Sequence, residues 1–120
     1  CPEVDTPDKT PIRDYIDVVD LNEAHLKALE YLLRDKKSEI INLGTGTGNS
    51  VLEVVNQVKK LTAVEIPIEK ANTRQGDDAK KIANIKKAKE LLGWEPKRTI
   101  EDSVKSLLIW YKKHPNGWGK

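Results

Sequence analysis

The sequence has no methionine and no phenylalanine, and Cys1 is its single cysteine among 120 residues. One thiol cannot close an internal disulfide or supply several thiolate ligands to a metal, so both kinds of site are excluded within the chain. No apolar run reaches the roughly 20 residues that span a bilayer, and no signal-peptide pattern opens the chain. We therefore expect a cytoplasmic protein with no membrane partner. The absence of a start methionine favours a piece of a longer protein.

A strong charge of one sign is also missing. The chain has 21 Lys and Arg against 19 Asp and Glu, a formal charge of +2, which is too balanced to predict a nucleic-acid partner. Lysines cluster near the third predicted helix, but no aromatic residues are interleaved with them as a nucleic-acid surface would need. We expect these lysines to form a solvated helix face. The cluster consists of lysines 80, 81, 86, 87 and 89.

Short strands alternating with about four helices predict an α/β chain. Three segments rich in β-branched or alternating apolar residues have the pattern of strands: residues 12–19, 38–43 and 63–69. Helix starts are marked by residues that can cap exposed backbone N–H groups, with Gly93 ending the third helix. The predicted caps and their partners are Asp20 with Glu23, Ser50 with Glu53, Asn84, and Thr99 with Asp102. In the first helix an apolar stripe predicts a packing face formed by Leu21, Ala24, Ala28, Leu29 and Leu32.

Three glycines, Gly44, Gly46 and Gly48, lie between a predicted strand and the second helix. A dinucleotide loop has the spacing G-x-G-x-x-G, and position 49 here is not glycine. Glu65 stands about where such a loop would need an acid for a ribose hydroxyl. The residues favour the other interpretation, a turn whose glycines let strand and helix approach closely.

The chain offers few candidates for catalysis. None of its three tyrosines has a lysine four residues later, and His25 and His114 have no nearby ligand cluster. We expect both histidines to have helix-face or helix-end roles, and we assign no catalytic, cofactor-binding or metal-binding residue. Arg13 and Arg74 are different because each lies in a segment with loop chemistry. Their guanidinium groups suit a pyrophosphate, or they form surface salt bridges with Asp14 and Asp77.

Five segments, in order and spacing, resemble the C-terminal part of UDP-glucose 4-epimerases, within the extended short-chain dehydrogenase/reductase family. They are "IRDYIDVVDLNEAHLKALEYL", "INLGTGTGNSVLEVV", "RQGDDA", "KAKELLGWEPKRTIED" and "KHPNGW". The resemblance implies a C-terminal fragment that lacks most of the Rossmann sheet. It implies that residues 1–35 pack on the missing N-terminal NAD-binding domain and that residues 36–120 bind the UDP-sugar. It also implies that the glycine run is not the NAD loop.

The resemblance implies roles for four residues. Arg13 and Arg74 would grip the phosphates of UDP-glucose or UDP-galactose, and Asp77 would bind the ribose hydroxyls. Lys81 would line the sugar pocket, where side-chain bulk influences the acceptance of N-acetyl sugars. NAD is the cofactor of the intact family enzyme, and none is expected for this chain alone. We expect the fragment to be inactive and to self-associate. The alternative is a stand-alone nucleotide-binding or protein-interaction α/β module without catalysis.

Overall fold

The computed structural model describes residues 4–34, 37–69, 71 and 76–119. Within these ranges the chain forms three two-residue strands and four helices, which confirms the α/β class predicted from the sequence. The elements in chain order are β1 (Ile12–Arg13), α1 (Val18–Leu33), β2 (Asn49–Ser50), α2 (Val51–Thr62), β3 (Lys80–Lys81), α3 (Lys86–Leu92) and α4 (Ile100–Lys113). None of the helices in the described part is long and apolar enough to cross a bilayer.

The small sheet has β1 at its centre, with strand order β2-β1-β3. β1 pairs with β2 in antiparallel fashion, so that Arg13 lies opposite Asn49. On its other edge β1 pairs with β3 in parallel, so that Arg13 lies opposite Lys81. Partners opposite each other in a sheet project their side chains to the same face. The sheet therefore brings together residues that are 68 positions apart, Arg13 and Lys81.

Most of the predicted strand residues are not in strands. Of residues 12–19 only Ile12 and Arg13 pair, and the segment's last two residues already belong to α1. Residues 38–43 and 63–69 contain no strand. Alternating apolar residues form a strand only where a neighbouring strand accepts their backbone hydrogen bonds. Ile41 and Leu43 instead pack against the core as extended loop, and Val64 is exposed.

The helix caps were predicted correctly where the signal was local. Ser50 with Glu53, and Thr99 with Asp102, form the two predicted capping boxes. α3 begins one residue later than predicted, although Asn84 Oδ1 still accepts from the Lys86 N–H at 3.0 Å. Gly93 ends α3 with φ +58°, a conformation that glycine adopts without steric cost.

The predicted cap of α1 is wrong. Asp17, not Asp20, is the N-cap and accepts from the Val19 N–H at 2.8 Å. Asp20 lies in the first turn of the helix and is fully buried. Its carboxylate accepts from the Lys97 N–H at 2.9 Å and from the Arg98 N–H at 2.8 Å. The side chain of Arg98 adds an ion pair at 2.5 Å. Asp20 therefore fastens α1 to the loop before α4.

The core is small and lies where α1 packs on α3. Ala24, Ala88 and Trp94 are its buried apolar members, and the Trp94 indole donates to the Asp20 carbonyl at 3.0 Å. Four partly buried residues surround them: Ile16, Ile41, Leu43 and Leu92. The stripe predicted on α1 does not form one face, because Ala24 enters this core while Leu29 remains exposed. α1 is therefore apolar on two sides, and only one of them is covered in the described part of the chain.

Candidate functional site

Arg13, one of the predicted phosphate-binding arginines, lies in the central strand with its guanidinium held by three acceptors. Nη1 donates to the Ile12 carbonyl at 2.9 Å and to the Asp78 carbonyl at 2.8 Å. Nη2 donates to Asp77 Oδ1 at 3.3 Å, which forms an ion pair. The side chain of Arg13 is 27% exposed, so the group is both fixed and reachable from solvent. Its acidic partner is Asp77 rather than the adjacent Asp14.

Lys81 lies opposite Arg13 on the neighbouring strand, and both residues line one surface hollow. Its ammonium pairs with Asp78 Oδ2 at 3.2 Å, and its side chain is largely exposed. The hollow has a volume of about 530 Å³, within the range of roughly 300–1,000 Å³ typical of small-molecule sites. Three short segments line it, and they contribute Arg13, Asp14, Asn42, Leu43, Lys81, Ile82 and Ala83. Two cations in register on neighbouring strands therefore face a single cavity.

The four predicted site residues thus have different outcomes. Arg13 and Lys81 are brought together in one hollow, and Asp77 joins them through its ion pair with Arg13. Arg74 lies outside the described residues, so its convergence with Arg13 stays a prediction. Arg13 does form a salt bridge, but its partner is Asp77 and not the adjacent Asp14 expected from the sequence.

Sequence reasoning missed Asp14, whose carboxylate joins three chain segments. Oδ1 accepts from the Thr45 N–H at 2.7 Å and from the Thr45 hydroxyl at 2.6 Å. Oδ2 accepts from the Gly46 N–H and the Ala83 N–H, each at 3.1 Å. Burial raises the pKa of this carboxyl group, but the hydrogen bonds from Thr45, Ala83 and Gly46 outweigh it, so the pKa lies below its ordinary value. Asp14 is therefore held as a carboxylate at neutral pH.

The glycine run packs against this same region, which confirms the packing interpretation. A Cβ at Gly44 would lie 2.5 Å from Asp14 Oδ2 and 2.6 Å from the Ala83 Cβ. A Cβ at Gly48 would collide with Ile12 and would lie 2.7 Å from Ile82 Cδ1. These positions need glycine because β1 and the residues after β3 approach closely. The loop is closed against its own chain rather than open to a phosphate.

The other titratable candidates have structural contacts. The ring Nδ1 of His25 lies 2.7 Å from the Leu21 carbonyl, and that of His114 lies 3.0 Å from the Trp110 carbonyl. The expected helix-face and helix-end roles are confirmed. Among the residues that the structure describes, no three His, Cys, Asp or Glu side chains form a potential metal site. The clustered lysines are exposed as expected, and several pair with acids, as Lys87 does with Glu39 at 2.8 Å.

A family model for GDP-mannose 4,6 dehydratase matches residues 3–107, and the chain therefore belongs to that family. Among curated relatives, the UDP-glucose 4-epimerase of Bacillus subtilis (strain 168) is 46% identical over 113 residues, which are 94% of this chain and 33% of the relative.

Solved structures agree with this relationship. One crystal structure of a UDP-glucose 4-epimerase superposes with a TM-score of 0.93 at 44% identity, over 98% of this chain and 36% of that one. The epimerase from Bifidobacterium longum, solved in complex with NAD+ and UDP, superposes with a TM-score of 0.84 at 42% identity. That match covers 95% of this chain and 34% of the other. The chain spans about a third of the length of these relatives and corresponds to a C-terminal portion of the epimerases.

Proposed function

We propose that this chain is the UDP-sugar-binding portion of a UDP-glucose 4-epimerase that interconverts UDP-glucose and UDP-galactose. The observation that carries the proposal is the placement of Arg13 and Lys81, in register on parallel strands, over one hollow. A planar guanidinium donates two parallel hydrogen bonds to a phosphate, and a lysine adds a compact positive charge. The relative from Bifidobacterium longum, solved with NAD+ and UDP, supports the ligand class.

The proposed roles follow from the contacts of each side chain. Arg13 binds the diphosphate, because its guanidinium is already held at the rim of the hollow by the Asp78 carbonyl. Arg74 is proposed as the second phosphate ligand and Asp77 as the acceptor for the ribose hydroxyls. Lys81 lines the wall that the hexose contacts. Together they anchor the nucleotide end of the substrate and leave the sugar free to turn.

This anchoring suits an epimerase mechanism. The chemistry that bound NAD supplies in the intact enzyme is removal of hydride from C4 of the hexose and its return to the opposite face. Between the two transfers the 4-keto sugar has to rotate, which a ligand held through its UDP moiety permits. The tyrosine and lysine that would move the hydroxyl proton are not paired in this sequence. The residues described here therefore bind and orient, and we expect the isolated chain to have no epimerase activity.

UDP titration of the ¹⁵N-labelled full chain by NMR tests the binding proposal. We expect UDP to shift the amides of residues 12–14 and 80–83, while NAD does not. Arg13→Gln should weaken UDP binding at least tenfold, because a hydrogen bond to a charged group contributes about 1.5–3 kcal/mol. Lys112→Gln is the matched control, since it removes one positive charge from an exposed position near the end of α4.

Two results would contradict the proposal. The first is equal loss of UDP affinity in both variants, which would show that overall charge rather than the hollow binds the ligand. The second is protection of the chain against heat by NAD and not by UDP, which would favour a stand-alone dinucleotide-binding module. Conversion of UDP-galactose to UDP-glucose by the purified chain would contradict the expected lack of activity.

We further propose that the exposed side of α1 is covered by the NAD-binding domain in the intact enzyme. Leu26, Leu29 and Leu33 follow one another at helical spacing and are 63%, 55% and 75% exposed. The radius of gyration is 17.4 Å. A compact domain of this length would have one of about 14 Å. Both observations support the proposal that a surface of this chain is suited to packing against another domain.

In isolation the same surface should pair with a second copy, because contiguous exposed apolar area is unfavourable in water. Light scattering should show dimers or larger species for the native chain at tens of micromolar. The double variant Leu26→Lys with Leu29→Lys should shift the population to monomer. Val64→Lys, at an exposed apolar residue outside the helix, should leave the oligomeric state unchanged. A monodisperse native monomer would refute self-association.

A further inference from the structure

The hollow that Arg13 and Lys81 line has three walls. The carboxylate of Asp14, in the first wall, accepts from Ala83 in the third wall and from Thr45 and Gly46 just after the second. Arg13 and Asp14 form the first wall, residues 42–43 the second, and residues 81–83 the third. These segments are distant in the sequence, so their relative placement depends on tertiary contacts. Asp14 supplies four of these contacts, two through each carboxylate oxygen.

The two carboxylate oxygens of Asp14 bind different segments of the chain. Oδ1 binds the backbone and hydroxyl of Thr45, two residues after the second wall. Oδ2 binds the Ala83 N–H at the end of the third wall, and also the Gly46 N–H. The third wall is therefore held against β1 from both ends, since Ile12 donates to the Ala79 carbonyl at 2.9 Å on the other side of β3.

The Asp14 carboxylate is closely packed on the side that faces Gly44. Gly44 has no room for a Cβ beside Asp14 Oδ2. A longer side chain at position 14, or a methyl group at position 44, would push the walls apart.

We infer that Asp14 is a positioning residue that fixes Arg13 for the ligand's diphosphate and Lys81 for its hexose. The inference rests on the proposed function, because it takes the hollow as the binding site. Asp14 does not itself contact the ligand in this assignment, since both of its oxygens are used by backbone and hydroxyl donors. Its effect on binding is indirect and acts through the alignment of β1 with β3.

The test compares Asp14→Asn with Asp20→Asn in the full chain. Both replace a carboxylate that accepts several backbone N–H groups, but Asp20 contacts the loop before α4 and does not line the hollow. We expect Asp14→Asn to raise the Kd for UDP at least tenfold. Asp20→Asn should lower the thermal midpoint at least as much as Asp14→Asn does. It should leave the Kd for UDP within twofold of the native value.

Amide hydrogen exchange provides a readout that needs no ligand. Asp14→Asn should accelerate exchange at Ile12 and Ala83 at least tenfold relative to Val104, a buried residue of α4. Asp20→Asn should not change that ratio. If Asp14→Asn fails to fold, Thr45→Val removes one donor to the carboxylate and keeps the backbone. That variant should raise the Kd for UDP about threefold. It should also accelerate amide exchange at Ala83 relative to Val104, as Asp14→Asn does.

The outcomes separate the two claims. UDP binding that is unchanged in Asp14→Asn, or weakened equally by Asp20→Asn, overturns the positioning role and leaves the proposed function intact. If the native chain does not bind UDP, the proposed function fails for this chain. The exchange ratio then decides the positioning role alone, and an unchanged ratio overturns it.

Discussion

Replacing Asp20 with alanine tests how much of the stability depends on one buried carboxylate. The side chain is fully buried and accepts from the backbone N–H groups of Lys97 and Arg98 and from the Arg98 guanidinium. Alanine leaves all three donors without this acceptor. The substitution also removes one partner of an ion pair, which is more damaging than replacing both partners by apolar groups.

The magnitude can be worked from these contacts. A buried donor that loses its acceptor costs about 1–3 kcal/mol. The two backbone groups are only partly buried, and the Arg98 side chain is 34% exposed, so water recovers part of the loss. We therefore expect Asp20→Ala to lower the free energy of unfolding by about 2–4 kcal/mol. Asp20→Asn retains one oxygen for the backbone donors and should cost about half as much.

Urea unfolding followed by circular dichroism at 222 nm measures the difference. Glu30→Gln is the control, because it changes an exposed carboxylate on the same helix and should stay within about 0.5 kcal/mol of the native chain. Asp20→Asn keeps the comparison possible if the alanine variant is already unfolded in water. A loss below about 0.5 kcal/mol in Asp20→Ala would refute the reasoning, as would an equal loss in the control.

Further predictions concern pH, caps and turns. The pKa values of Asp14 and Asp20 are lowered despite burial, because backbone and side-chain hydrogen bonds favour the carboxylates. Their contribution to stability is therefore complete above about pH 4, the ordinary pKa, and is lost as the pH falls through the lowered values; Asp20→Asn should flatten this acid dependence of the urea midpoint. Thr99→Ala should cost about 1 kcal/mol by removing a capping box, and a variant as stable as the native chain would contradict it. Gly93→Ala should cost about 1 kcal/mol in the same assay because φ is positive there, whereas an increase in stability would show that the turn relaxes.

The features predicted correctly from the sequence are those whose signal and partner lie within one helical turn. Ser50 meets Glu53, and Thr99 meets Asp102, three positions apart, so each capping box is visible in the sequence. Gly93 is predictable for the same reason, since a helix end with positive φ strongly favours glycine. These local signals fixed the number of helices and most of their boundaries.

The strand predictions were mostly wrong because the partner of a strand lies far away in the sequence. The apolar alternation of residues 63–69 contains no information about which segment would pair with it, and the structure has no strand there. The two-residue strand of lysines, Lys80 and Lys81, has no apolar pattern that could have revealed it. Its pairing with β1 depends on the Ile12 hydrogen bond and on Asp14, both tertiary contacts.

Partners that are remote in the sequence also explain why the roles predicted for Asp14 and Asp20 were wrong. Asp20 has the local pattern of a helix cap, but burial among donors from residues 97–98 gives it another role, while Asp17 takes the cap. Asp14 stands beside Arg13, which suggests an ion pair, yet its acceptors face donors 31 to 69 positions away.

The glycine run contained part of the missing information about Asp14. Gly44 and Gly48 both lie against neighbouring segments of the chain. Glycine at both positions indicates that another part of the chain approaches closely there. It does not indicate which part approaches. The structure shows that Asp14 is the group against Gly44. The need for glycine at position 44 is therefore linked to the candidate site, because the Asp14 carboxylate holds the walls beside Arg13. Gly44→Ala should therefore disturb UDP binding more than Gly93→Ala, although neither residue lines the hollow.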